Sequence, residues 1–358
     1  DVYKRQGKAQ TMTESVLPES LGIDLAILDA WMDEQGLPAG PIESVEPLTG
    51  GTQNILVRFE RAGRAYVLRR PPIHKRANSD ETMRREARVL GALRGTDVPH
   101  PGLIAACPDE ALIGAAFYLM EPVEGFNAGQ GLPELHANDP AIRRRMGFAM
   151  AEGVAKLAAV DYLEVGLEGL GRPERYLERQ VSRWQHQLDG YAELEGYPGP
   201  EIPGVDDVAR WLESNRPEDS PPGILHGDYH IANVMFRNDS GELAAIIDWE
   251  LATIGDPLLD LGALLASWPD EEGRTPLGQA PAAMDGAPSR AELVAHYGAR
   301  SQRSLDAIDW YVVLACYRLG IILEGTHARA CAGRAPKEIG DLLHATTVGL
   351  FERARTYL

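Results

Sequence analysis

The chain has 358 residues, 44% of them hydrophobic and 25% charged, a globular composition with length enough for two lobes. A formal net charge of −18 and a pI near 5.0 repel nucleic acid and anionic bilayers, so neither is an expected partner. The three scattered cysteines make neither a zinc spacing nor a disulfide framework, which points to a cytoplasmic setting.

Residues 1–19 lack a signal-peptide core, and the stretch DVYKRQGKAQT precedes Met12, so this segment is set aside as a leader. Residues 20–35 predict a helix with Leu21, Leu25, Leu28 and Met32 on one stripe and Gly36 as its stop. ESVEPLTGG, NILVRFE and AYVLRR, the last two joined by RAGR, predict an antiparallel meander. Residues 80–94 form an amphipathic helix in which Glu86 shares the apolar stripe, so its carboxylate requires a cationic partner. AAFYLMEPVEGF reads as a buried strand ending in a Pro/Gly-containing connection, which closes a β-rich lobe spanning 20–122.

The second lobe, 123–358, is mainly helical, with helices expected at 140–160, 174–190, 205–215, 256–268, 290–300, 305–330 and 336–355. Short strands are expected at 224–226, 233–237 and 243–247, and a Pro/Gly-rich loop at 269–289. The apolar run WYVVLACYRLGIIL is interrupted by Arg318 and reads as a buried helix, not a membrane span.

The chemistry concentrates in ILHGDYHIANVMF and AAIIDWELATIGDPLLDLG, residues 224–262. His226-Gly227-Asp228 followed by Asn233, five residues after the aspartate, matches the kinase spacing that aims one carboxylate at an acceptor hydroxyl and an amide at magnesium. An apolar strand ending at Asp248 offers a second hard oxygen ligand for Mg²⁺. Asp256 before Pro257 reads as a helix cap, and Asp260, one turn on, can point back at the loop. His226 is expected to hold loop backbone. A rival reading takes His226, Asp228 and His230 as the metal triad of a hydrolase, but it leaves Asn233 and Asp248 unexplained.

HGDYHIANVMF…IIDWELATIGDPLLDL resembles the aminoglycoside phosphotransferase family, and YVLRRPP, RREARVL, FYLMEPVEG and YVVLACYRLGIILEGTHAR follow in the family's order. The likeness is strongest to the kinase-like domain of fused acyl-CoA dehydrogenases. It implies an α+β, bilobal protein-kinase-like fold and ATP-dependent transfer to a small-molecule hydroxyl with Mg²⁺. Gly50, Gly51, Thr52 and Asn54 then stand at the phosphate-covering loop, without a full G-x-G-x-x-G. Arg69 stands where a kinase has its lysine and would pair with Glu86. Met120, Glu121 and Val123 would meet the base. Trp249 and Glu250 are candidates for the acceptor wall. The resemblance points to a hydroxyacyl-CoA or related acceptor; an antibiotic phosphotransferase and a non-catalytic nucleotide- or acyl-CoA-binding module are the alternatives. For the phosphates of coenzyme A, the basic concentration Arg69, Arg70, Lys75, Arg76, Arg84, Arg85 and Arg88 is available.

Overall fold

The computed structural model describes residues 21–48, 54–276 and 285–358. The leader, Gly50, Gly51, Thr52 and the centre of the 269–289 loop lie outside the described residues. The chain divides into two compact units, one running to Arg94 and including Pro101–Pro122, the other comprising Gly95–His100 and Val123–Leu358. The hexapeptide 95–100 therefore goes with the second unit, where the Ile246 N–H donates to the Pro99 carbonyl at 2.8 Å.

The first unit opens with α1, Leu25–Glu34. It begins at Leu25 and not at residue 20 because the Asp24 carboxylate caps the N–H groups of Ala26 and Ile27. Five antiparallel strands follow: β1 (Ile42–Pro47), β2 (Ile55–Arg61), β3 (Arg64–Arg70), β4 (Leu103–Cys107) and β5 (Phe117–Met120), in the order β1-β2-β3-β5-β4. The β2–β3 turn uses Ala62 and Gly63, both at positive φ (52° and 72°), the backbone a two-residue hairpin needs. Arg61, 1% exposed, fastens the sheet to α1 by donating to Asp29 at 2.8 Å and Asp33 at 2.5 Å. Between β3 and β4 runs α2, Ser79–Ala92, burying Met83, Ala87, Val89 and Leu90 together with Glu86.

The second unit is mostly helical: α3 (Glu134–Asn138), α4 (Pro140–Ala159), α5 (Gln180–Gly190) and α6 (Val205–Ser214) precede the site-bearing strands. The helix expected from 174 starts only at Gln180, because Arg175 has φ +52°, a left-handed backbone that no α-helix continues through. Then come β6 (Gly223–Leu225), β7 (Val234–Phe236), β8 (Leu243–Ile246) and β9 (Thr253–Gly255), paired antiparallel as β6–β9 and β7–β8. Among the described residues the chain closes with α7 (Leu258–Ser267), α8 (Arg290–Gly298), α9 (Ile308–Cys331) and α10 (Lys337–Arg355). The apolar run around Arg318 is the centre of α9, which packs along α7 and α10. No helix among the described residues is long and apolar enough to cross a membrane.

Glu152 joins α4 to α8. It takes two bonds from Arg145 at 2.9 and 2.6 Å and one from His296 at 2.7 Å. The Arg145 bonds, working against burial and aided by His296, hold its carboxyl at about 2. A depressed folded pKa stabilises above the unfolded value near 4.3 and is lost as pH falls towards 2. Discounted for partial solvent screening, Glu152→Gln costs about 1–2 kcal/mol at pH 7. Urea unfolding of both proteins should show that gap at pH 7 and a smaller one at pH 3; an equal gap at both would refute the linkage.

Candidate active site

The site loop leaves β6 at Leu225 and must turn sharply to enter β7. Gly227 makes the turn at φ +84°, and a Cβ there would lie 2.4 Å from the Leu251 carbonyl oxygen, so only glycine fits. The His226 N–H and Gly227 N–H donate to the two carboxylate oxygens of Asp260 at 2.6 and 2.9 Å. Asp260 is 1% exposed; burial raises its pKa against those two N–H bonds, which favour the charged form. The Tyr229 hydroxyl donates to the Met150 carbonyl at 2.8 Å and pins the loop to α4.

His226 links the loop to the end of β8. Its Nδ1 accepts from the Asp228 N–H at 3.3 Å, so Nε2 carries the proton and donates to the Ile247 carbonyl at 2.8 Å. The β7–β8 ladder adds a second link, since the Ile247 N–H donates to the Asn233 carbonyl at 2.9 Å. Asn233 and Asp248 thus sit at one end of the same ladder. Asp248 is held at φ +65°, ψ 65°, a left-handed conformation that aspartate tolerates better than most residues and that re-aims the chain at the strand end.

Asn233 and Asp228 are in direct contact. The Asn233 amide Nδ2 donates to the Asp228 carbonyl and to its Oδ2, both at 2.9 Å. With the amide nitrogen committed, Oδ1 is the atom Asn233 offers to a cation. His230 Nδ1 accepts from the Ala232 N–H at 3.2 Å, leaving the Nε2 proton facing Asp228 Oδ2 at 3.4 Å. Burial pushes Asp228 up, but the His230 bond and the electrostatic pull of the His230, His226 and Arg318 side chains prevail and hold it at about 2. Asp228 is therefore an anion throughout the neutral range, suited to accepting a hydrogen bond from an alcohol. An amide oxygen and a carboxylate at one strand end are hard oxygen donors and fit Mg²⁺. His226 is committed on both nitrogens, so the His–Asp–His hydrolase triad is not assembled.

Beside the loop lies an open recess of about 400 Å³, with Gly227–His230 on one side and Ala263, Ala266, Leu319 and Ile322 on the others. Arg318 is the cation in its lining. The guanidinium lies 5.3 Å from the Trp184 ring centroid, and among the described residues no carboxylate stands within ion-pair distance of it. The sequence showed this residue only as a break in an apolar run. Trp249, expected at the acceptor wall, is 3% exposed; it donates to the Ile246 carbonyl at 2.9 Å and packs edge-on against His226 at 4.9 Å. The turn at Asp248 rotates Trp249 into the core, where it backs the loop. Glu250 is half-buried in the 3₁₀ turn that follows. Asp256 accepts from the Leu258 N–H at 3.1 Å and from the Tyr311 hydroxyl at 2.6 Å, tying the start of α7 to α9.

In the first unit, Arg69 on β3 pairs with Glu86 on α2, Nε to Oε2 at 3.0 Å and Nη2 to Oε1 at 3.3 Å. Tyr118 also donates to Glu86 Oε2 at 2.7 Å, and Glu86 is 1% exposed. Met120 ends β5 nearly buried, and the Glu121 N–H is already bonded to the Gly102 carbonyl at 2.8 Å. Asn54 directly precedes β2. The basic concentration is largely consumed internally: Arg70 is buried on the Gly22 and Ile113 carbonyls, Lys75 binds Asp80 and Glu110, and Arg84 binds Glu110. Arg70, Lys75 and Arg84 are thus no ready-made seat for coenzyme A phosphates.

Residues 44–296 match the family model described as the phosphotransferase enzyme family, APH. A solved structure from Ralstonia eutropha JMP134, provisionally assigned as an aminoglycoside phosphotransferase, superposes with a TM-score of 0.76 at 31% identity, covering 93% of this chain and 98% of that one. The complex of APH(2″)-IIIa with GDP and kanamycin shares the fold, at TM-score 0.62 and 18% identity over 93% of this chain and 99% of that one. Acyl-CoA dehydrogenase family member 11 of Gallus gallus is 32% identical over 311 residues, 84% of this chain. The chain spans 38% of that protein's length.

Proposed function

The chain belongs to the APH phosphotransferase enzyme family and has its protein-kinase-like fold, and from that premise we propose that it transfers the γ-phosphoryl group of ATP to a hydroxyl of a small molecule. The observation that carries the proposal is the Asn233 amide locked onto Asp228, with Asp248 drawn to the same strand end by the Ile247–Asn233 bond. Asp228 receives the acceptor hydroxyl in a hydrogen bond and aligns its oxygen. The oxygen–phosphorus bond forms as the bond to the β-phosphate oxygen breaks, and ADP leaves. The hydroxyl proton passes by way of Asp228 to water, because a carboxyl near 2 does not retain it at neutral pH. Asn233 Oδ1 and Asp248 would hold magnesium, which when bound neutralises charge on the phosphate oxygens. Arg69, oriented by Glu86, would engage the phosphates, with Gly50, Gly51, Thr52 and Asn54 covering them. Met120 and the backbone at Glu121 and Val123 would meet the base, the donor coming from Val123 because the Glu121 N–H is already used.

For the acceptor, the recess favours a molecule with an apolar segment and an anionic or strongly polar acyl group. Its lining alanines, leucine and isoleucine match the apolar segment, and Arg318 matches the anion. A polycationic antibiotic would meet that guanidinium unfavourably. This supports a hydroxyacyl thioester or hydroxy acid over an aminoglycoside. The test is ADP release from ATP and Mg²⁺ with hydroxyacyl-CoA, hydroxy-acid and aminoglycoside panels. Release stimulated by the first two classes is expected; stimulation by aminoglycosides alone would reverse the acceptor assignment, and none with any alcohol would favour the binding-module alternative. Arg318→Met keeps the stem and should raise the acceptor KM about 10–100-fold, the range for losing a charge-assisted hydrogen bond, with the ATP KM unchanged. An unaltered acceptor KM would remove Arg318 from recognition.

A further inference from the structure

We propose that Glu324, His327 and His344 form a second metal site, for a divalent transition ion of the zinc type. It uses none of the residues assigned to phosphoryl transfer. One ligand atom from each of the three lies within 4.8 Å of the others. Glu324 and His327 fall at i and i+3 on one face of α9, and His344 comes from α10 packed along it.

Two observations make this more than a polar cluster. Glu324 is 0% exposed, yet among the described residues its carboxylate meets only the Tyr197 hydroxyl at 2.7 Å and His344 Nδ1 at 2.8 Å. No lysine or arginine among the described residues pairs with it, and a buried carboxylate without a permanent cation is costly. His327 Nδ1 is itself buried with no hydrogen-bond partner, the nearest acid, Asp341, being 3.9 Å away. A cation held by these three residues neutralises Glu324, and coordinated through Nδ1 it also gives that atom a partner.

The donor set suits zinc, which takes two histidines and one glutamate readily and keeps a further position for water. The two imidazoles lie face to face with centroids 4.5 Å apart. Two imidazole nitrogens beside one carboxylate oxygen favour zinc over magnesium, the reverse of the all-oxygen set at Asn233 and Asp248. The side chains of His327 and His344 are 15% and 23% exposed, so an ion enters from solvent without unfolding the helix pair. Binding through His344 Nδ1 displaces its proton to solvent.

The test is zinc titration of the chelator-stripped full chain in excess Mg²⁺, against a chromophoric competitor. One equivalent should bind, and His327→Gln and His344→Gln should each weaken it by at least about 100-fold, the upper range for losing even an outer partner of a metal site. Both variants should melt with the parent when metal-free. His327→Gln is decisive if His344→Gln fails to fold, because His327 Nδ1 gives up no hydrogen bond. Substituted cobalt should show ligand-field bands that persist in Cys331→Ser and are lost in His327→Gln. No stoichiometric binding, or a His327→Gln titration matching the parent, overturns the site.

Discussion

Asp228→Asn leaves the chain folded and lowers turnover by about 10²–10⁴-fold, the range for losing a positioned base. The substitution is isosteric, and the loop does not depend on the charge at 228 for its shape. Asp260 holds the His226 and Gly227 N–H groups, His226 holds the Asp228 N–H, and Tyr229 anchors on α4. What is lost is the anion facing the acceptor. An asparagine oxygen at the Oδ2 position can still accept from Asn233 and face His230, but its NH₂ then takes the other position, where an anion would have accepted from the incoming hydroxyl. The pH profile carries a second signature. With Asp228 at about 2, the parent should show no acidic limb from this residue anywhere above pH 4. Thermal unfolding and steady-state turnover check the pair of claims, and near-parental turnover would defeat the role of Asp228.

Asp248→Asn should lower turnover by about 10²–10³-fold and raise the Mg²⁺ concentration needed for half-maximal rate, consistent with a metal worth several kcal/mol of charge stabilisation. Asparagine is the informative replacement because it tolerates the left-handed backbone at φ +65° nearly as well as aspartate. Asp248→Ala adds the backbone penalty and should lose a further ~1 kcal/mol of stability. Separating the two variants by melting and by magnesium titration distinguishes ligation from strain. A magnesium requirement identical to the parent's in Asp248→Asn would contradict ligation.

The elements with strong periodicity were legible in the sequence: α2, α4 and α9 each show an apolar stripe or a sustained apolar run. β4 and β9 were not, because five and three residues carry too little pattern to separate a strand from a loop. The same distinction governs the site. Asp228, His230 and Asn233 meet within one loop, so their spacing announces them. Tyr229 finds Met150 at a separation of 79 residues, and Tyr311 finds Asp256 at 55, contacts that no local pattern encodes. Arg318 registered only as a charge inside an apolar helix, and its place beside Asp228 follows from how α9 lies along α7. Trp249 was misplaced because adjacency to Asp248 suggested exposure, whereas the turn at Asp248 carries it into the core. Glu324 and His327 lie within one turn of helix, but His344 reaches them only through the packing of α10.

Crystals of the chain with a non-hydrolysable ATP analogue and Mn²⁺ in place of Mg²⁺ give the most direct check. Anomalous scattering should place the ion about 2.0–2.3 Å from Asn233 Oδ1 and a carboxylate oxygen of Asp248, bridged to the triphosphate, with the terminal phosphate turned towards Asp228. Nucleotide-bound manganese that contacts neither Asn233 nor Asp248, or a terminal phosphate turned away from Asp228, would contradict the account.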